Sequence, residues 1–324
     1  MTREIKLKIL LTGSAGFMGL HLARKILDNY DDIELFLVDN YERGIKDSEY
    51  ESLGNNSKTR IIEIDLNFEN LNPLPRDFDY VFHFAAINGT QNFYLDPLKT
   101  LTASSIPTLN LLQYLELKKI KNFVFASTSE LYAGGVDASL NGIPTSEETV
   151  FYLSDLDNLR WSYAIGKLYS EQLVKYSGIK RDLKYTILRL HNIYGDRMGD
   201  NHVIPDLFSK FQTNNFEVHG VDQTRTFCHI DDALSQIQNL TFKNEGTNEI
   251  FNIGVEDEIR IKDLAQMILD ILEIDASITE LSPFKGSVNR RVPNMSKLKA
   301  HNHYVNSVSL NSGLKQYYSW LKNQ

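Results

Sequence analysis

Apolar residues along this chain come in short dense runs that stop at small or polar residues, separated by stretches where apolar positions recur at helical spacing. Ile5 to Leu11 is the first run; a glycine-rich stretch from Thr12 to Gly19 follows, then Leu20 to Leu27 with helical spacing, which reads as strand, turn and helix. The rhythm repeats. Leu35 to Val38 ends at Asp39, Arg60 to Ile64 at Asp65, Tyr80 to Phe84 at Ala85-Ala86 and Phe123 to Ala126 at Ser127, while Tyr185 to Leu190 leads into Asn192. Strands this uniformly apolar are buried on both faces, so the pattern predicts a parallel sheet covered by helices on each side, a doubly wound α/β fold. Long helices are expected over Asp96 to Lys118 and Tyr163 to Ser177.

Beyond residue 180 the rhythm loosens, and the segments 201–220 and 281–293 carry turn residues and scattered charge. A large domain is therefore expected over 1–180, joined by a returning strand near 185–190 and a segment near 222–253. Residues 195–324 would form mainly a smaller, discontinuous C-terminal lobe over the substrate. There is no internal repeat, low-complexity tract or flexible linker, so the two parts should share one rigid body.

Composition narrows the function. The 324 residues, 42% of them hydrophobic, can bury a substantial core. A net charge of −8 without a clustered basic stripe argues against nucleic acid as a ligand. Cys228 is the only cysteine, so no intrachain disulfide or paired-cysteine metal site is possible; it reads as a small core residue in a reducing cytoplasm. No apolar run approaches the roughly 18 residues of a membrane span, and Ile9-Leu10-Leu11 is too short for a signal-peptide core. A soluble, unprocessed, cytoplasmic protein is expected.

Gly13, Gly16 and Gly19 fall between the first strand and first helix. Glycines there let the backbone turn tightly and approach a pyrophosphate, which the helix N-terminus attracts. The pattern alone also fits an ordinary tight turn; its context favours a dinucleotide held by Gly13, Ala15, Gly16, Phe17, Met18 and Gly19. Asp39, followed by Asn40, ends the second strand, where a carboxylate accepts ribose hydroxyls and repels a 2′-phosphate, so NAD is favoured over NADP. Arg43 stands close enough in sequence to reach such a phosphate. Asp65 and Leu66 would flank the adenine or simply end a strand, and Ala85-Ala86 closes another strand at the same edge. These features define a Rossmann-type domain.

Tyr163 and Lys167 are four residues apart, on one face of a helix. A phenol titrates near pH 10 in water, so it needs adjacent positive charge to act as a base at neutral pH. Lys167 and a nicotinium ring would supply it. The spacing alone also fits a surface lysine beside a half-buried tyrosine. What favours chemistry is Ser127 to Tyr132, which starts where an apolar strand ends, at the ligand-binding edge of open parallel sheets.

Together with His83-Phe84-Ala85-Ala86, Arg189 to Gly195, Val203-Ile204-Pro205, Arg225 to Asp231, Phe251 to Gly254 and Arg290 to Pro293, these motifs resemble the extended short-chain dehydrogenase/reductase family. Within it, the likeness is to NAD-dependent sugar-nucleotide epimerases, dehydratases and decarboxylases, over nearly the whole chain. The resemblance implies that Thr128 hydrogen-bonds the reacting sugar oxygen, Tyr163 is the base and Lys167 its partner on the cofactor ribose. It implies that Asn192 contacts the substrate's phosphates or sugar and that Arg225 and Arg291 clamp its diphosphate, with Arg290 the other candidate. Glu130 would act as a second acid/base or shape the pocket.

The dehydratases usually carry Asp-Glu after the threonine, whereas this chain reads Thr128-Ser129-Glu130, as in UDP-glucuronate decarboxylases and many epimerases. Epimerisation through transient oxidation at a sugar carbon, most simply C4, is the first expectation; the alternatives are decarboxylation of the UDP-glucuronate type, then 4,6-dehydration. A net oxidoreductase and a non-catalytic NAD-binding protein rank lower. Pro107 and Ser104 stand where the family often has Gly and Asn, Asp196 where Pro follows Tyr-Gly, and His219 to Asp222 is an imperfect version of a family loop. His191, His202 and His229 lack the pairing of metal ligands and read as structural, so no metal is expected. The family also implies a homodimer built from the helices near 96–118 and 163–177.

Overall fold

The computed structural model describes residues 6–324 except 69, 154, 201, 244, 285 and 286. Seven parallel strands form the central sheet: β1 (Leu7–Thr12), β2 (Ile33–Asp39), β3 (Thr59–Glu63), β4 (Tyr80–His83), β5 (Asn122–Thr128), β6 (Tyr185–Leu190) and β7 (Glu249–Ile253), in the order β7-β6-β5-β4-β1-β2-β3. The expected start of the first strand at Ile5 lies outside the described residues.

Strand side chains alternate between two cores, as the pleat requires. Ile9, Leu11, Leu35, Leu37 and Phe82 point to one face, where α1 (Phe17–Asn29) packs. Leu10, Val38, Val81, Phe123 and Phe125 point to the other, under residues 106–120. Both faces are dry, which accounts for the unbroken apolar runs.

The expected helix over Asp96 to Lys118 is broken. It is two helices, α2 (Pro97–Ala103) and α3 (Ile106–Tyr114), with a short 3-10 turn at Leu117–Lys119. Pro107, second in α3, has no N–H for the carbonyl of residue 103, and its ring clashes with a continuing helix, so the chain restarts after Ser104-Ser105. The buried Ser104 carbonyl accepts the Ser170 hydroxyl of the next helix at 2.9 Å. That helix, α4 (Trp161–Arg181), extends past the expected range at both ends and stops where Asp182 turns left-handed, φ 57°.

The smaller lobe gathers α5 (Val203–Gln212), α7 (Ile261–Leu272) and α8 (Leu310–Leu321) around Phe208, Phe211, Leu264, Ile268 and Leu314. Strand Thr224–Thr226 pairs with Glu258–Arg260 on one side and Arg290–Arg291 on the other. Between these pieces the chain returns to the large domain: α6 (Ile230–Phe242), β7, Met295 and Leu298 all bury apolar side chains in the core around α1. Among the described residues no helix is long and apolar enough to cross a membrane.

Candidate active site

A cleft of about 1020 Å³ runs along the carboxyl edge of the sheet and under the smaller lobe. Every residue singled out above for cofactor, sugar or diphosphate except Arg290 lines it, from Gly13 in the first turn to Arg291 in the last small strand.

At its large-domain end, Gly13 is left-handed, φ +71°, and a Cβ there would stand 2.7 Å from the Ala85 nitrogen. At Gly19 a Cβ would collide with the Gly13 carbonyl oxygen. Only bare backbone fits this turn, leaving a cradle at the start of α1 that suits a pyrophosphate. Asp39 is buried beside it; one carboxylate oxygen accepts the Ala15 N–H and the other the Tyr41 N–H, each at 2.9 Å. Burial raises its pKa, and those N–H groups pull it back. Arg43 lines the same end of the cleft and its guanidinium donates to Asn88 Oδ1 on the loop after β4. The cradle and carboxylate fit NAD.

At the centre, β5 delivers Thr128 and α4 delivers Tyr163 and Lys167, all buried. Lys167 Nζ donates to the Ala126 carbonyl at 2.7 Å and lies 5.9 Å from the centre of the Tyr163 ring. Burial lowers its pKa to about 7 against the opposing pull of Glu171. Tyr163 stacks on Phe93, rings 5.2 Å apart. Burial, reinforced by the charge of Glu130, pushes its phenol up, while Arg43 and a hydrogen bond to Thr128 act the other way. Protein groups alone thus leave the phenol protonated, and a further positive charge is required to make it a base.

At the small-lobe end, Glu130 is gripped from two sides. Arg160 donates to Oε2 through Nε (2.9 Å) and Nη2 (2.6 Å), and Arg291 reaches Oε1 at 2.7 Å. Burial opposes the charged form, but the two guanidiniums outweigh it and hold the carboxyl down at about 2. Glu130 is therefore ionised and in the wrong state to donate a proton at neutral pH. Arg290 points elsewhere, forking onto the exposed Glu258, so Arg291 is the arginine of this pair that faces the cleft. Arg225 meets neutral acceptors: the Thr224 and Asn289 carbonyls, Gln223 Oε1 and Ser287 Oγ. Partial burial, then the nearby charge of Arg291, lowers its pKa to about 9. Asn192, at φ 40°, donates to the Thr226 carbonyl at 3.0 Å.

Sequence reasoning passed over Arg160 and Phe93. Arg160 stands three residues before Tyr163, a spacing that brings it to the same end of α4. Behind the site, Glu171 and Arg189 form a buried two-point pair, and Ser127 Oγ donates to Glu171 at 2.5 Å.

Fold and cradle together define an NAD-using enzyme of the Rossmann class. The chain belongs to the NAD-dependent epimerase/dehydratase family, whose model matches residues 9–254. It is 33% identical to UDP-N-acetyl-alpha-D-glucosaminuronate decarboxylase of Bacillus cytotoxicus, over 98% of each chain. It is 28% identical to UDP-glucuronic acid decarboxylase 1 of Xenopus tropicalis, over 98% of this chain and 72% of that one. The structure of UDP-glucuronic acid 4-epimerase from Bacillus cereus, solved with UDP-glucuronic acid and NAD, superposes with a TM-score of 0.87 at 27% identity, covering 98% and 99% of the two chains.

Proposed function

We propose that the enzyme acts on a nucleotide-diphosphate sugar bearing a carboxylate at C5, oxidising C4, releasing carbon dioxide and reducing C4 again. The observation that carries this reading is the Arg160–Glu130–Arg291 cluster facing the Tyr163 end of the cleft. Two guanidiniums against one carboxylate leave a net positive charge at this end of the cleft that suits a substrate carboxylate, and Arg225 supplies a separate cation for the diphosphate. That the curated relatives include two decarboxylases of nucleotide-linked uronic acids supports it.

When bound, NAD supplies the hydride acceptor and donor together with the positive ring that favours the phenolate. Tyr163 takes the proton of the C4 hydroxyl, and Thr128 holds the same oxygen by a hydrogen bond. Lys167, anchored on the Ala126 carbonyl, brings positive charge toward the phenol in its protonated form. The 4-keto sugar is then a β-keto acid: its C5–carboxyl bond breaks, carbon dioxide leaves and the electron pair moves to the C4 oxygen. The hydroxyls of Thr128 and Tyr163 stabilise that oxygen as charge develops on it. C5 takes a proton from water in place of the lost carbon dioxide, and Tyr163 returns its own to the C4 oxygen as the carbonyl is reduced.

Mass spectrometry of products from UDP-glucuronic acid and UDP-N-acetylglucosaminuronic acid tests this. Loss of one carbon dioxide is expected, with no net NADH. Tyr163→Phe should lower kcat by about 10²–10⁴-fold, the usual worth of a general acid/base; undiminished turnover would refute the role of the phenol.

Epimerisation at C4, the first expectation above, uses the same residues as far as the keto stage. The neighbouring epimerase, which binds UDP-glucuronic acid, favours it as the second reading. A product of unchanged mass with C4 inverted would establish it.

We also propose a homodimer through α2 and α4, whose outer faces leave Leu98, Ile165, Tyr169, Tyr176 and Ile179 exposed.

A further inference from the structure

Arg197 lies outside every group used so far, yet it is among the most heavily bonded side chains in the protein. Its side chain is 4% exposed and its backbone is left-handed, φ 63°, a conformation that non-glycine residues keep only where the surroundings impose it. Nη1 donates to Asp47 Oδ1 (2.9 Å) and Oδ2 (2.8 Å) and to Glu49 Oε2 (3.0 Å), and Nη2 donates to the Ile45 carbonyl (3.2 Å). The residue before it, Asp196, gives its carbonyl to His21 Nε2 of α1 at 2.9 Å. Segment 196–197, which follows β6 on the way to the smaller lobe, is thus clasped to the large domain at two points.

What Arg197 grips leads directly to the cofactor cradle. Asp47 also caps the helix Ser48–Leu53 by accepting the Tyr50 N–H, and the buried Tyr50 hydroxyl bonds Ser14 Oγ at 2.7 Å inside the glycine turn. Ile45 N–H donates to the Ala15 carbonyl at 3.1 Å, and the Ala15 N–H in turn donates to Asp39. One guanidinium therefore braces the segment that aligns both the pyrophosphate turn and the ribose carboxylate. Residues 198–200, immediately after it, line the same cleft.

We propose that Arg197 is a positioning residue for the cofactor: by clasping segment 45–49 to the cleft-lining segment 197–200, it sets how slowly NAD leaves. In a reaction that lends a hydride and takes it back, the cofactor must outlast the oxidised sugar, and a slow exit serves that need. The inference rests on the cradle and holds for either net reaction above.

The test is NAD retention. Wild type, Arg197→Met and the double variant Asp47→Asn/Glu49→Gln are loaded with NAD and desalted, and release is followed by chromatography of the free nucleotide. The double variant removes both counter-charges while keeping acceptors on side chains that are about a third exposed, 37% and 34%. Both variants are expected to release NAD at least tenfold faster, with the cofactor-free unfolding midpoint of the double variant close to wild type. Release at the wild-type rate from the double variant overturns the proposal. Faster release accompanied by a collapsed cofactor-free midpoint overturns it as well, because Arg197 would then be only structural. Should Arg197→Met fail to fold, the double variant decides alone, and neither readout depends on the sugar or on turnover.

Discussion

Tyr163, Lys167 and Thr128 were legible in the sequence because local spacing and the end of an apolar strand bring them together. Their charge states draw on neighbours both near and far: Glu171 lies one turn from Lys167 on the same helix, whereas Arg43 reaches Tyr163 from a distant segment. Glu130 meets Arg160 thirty positions along the chain and Arg291 from the last small strand. The cluster makes Glu130 an ionised spacer between cations, where sequence reasoning had offered a second acid/base or a shaper of the pocket. His83 belongs to the same class of residue: read only as part of a motif, it is buried between the Thr12 and Thr108 hydroxyls at 2.7 and 3.0 Å. Burial, helped by the charge of Lys167, lowers its pKa to about 3, and burial does the same to His191. Both stay neutral in the folded state while the unfolded chain takes up protons below the ordinary value of 6.5. The stability they carry is therefore present above pH 6.5 and is lost as pH falls toward 3, at about 1.4 kcal/mol per pH unit for each residue. Unfolding midpoints between pH 7 and 4.5 should show this loss, and His83→Gln should flatten its slope by one proton; an unchanged slope would contradict the assignment.

The doubly wound sheet was the most legible feature among the elements, since its central strands are buried on both faces and read as dense apolar runs. The break at Ser104-Ser105 was not, because helical spacing of apolar residues continues through it while Pro107 forbids the hydrogen bond. The short strands of the smaller lobe, two or three residues each, are below the length at which alternation can be recognised. Helix α4 carries two kinds of information at once: Tyr163, Lys167 and Glu171 face inward, while Tyr169 (50% exposed), Tyr176 (59%) and Ile179 (70%) face out. An outer face of that kind is the mark of an interface. Light scattering at micromolar concentration should give twice the chain mass, and Tyr169→Glu/Ile179→Glu should halve it while the far-ultraviolet spectrum stays unchanged. A monomeric wild type would rule the interface out.

The cleft is walled by the large domain on one side and by the smaller lobe on the other, so ligand binding and the stability of the whole molecule are linked. Saturating NAD, at a hundred times its Kd, should stabilise the protein by about 2.7 kcal/mol and shift one cooperative unfolding transition upward. Two transitions, of which only one moves, would show that the lobes unfold separately. The route of the chain argues for the single transition. After entering the smaller lobe it returns to lay α6 against α1 and to add β7 beside β6, and it comes back again to bury Met295 and Leu298. This weave limits how the enzyme can be re-engineered: no single cut yields a cofactor module onto which a foreign specificity module can be grafted. A chimera joined after β6 would leave an open sheet edge and a bare flank on α1. New substrates must instead be sought by exchanging the loops that carry Arg225 and Arg291, with the threads between them left in place.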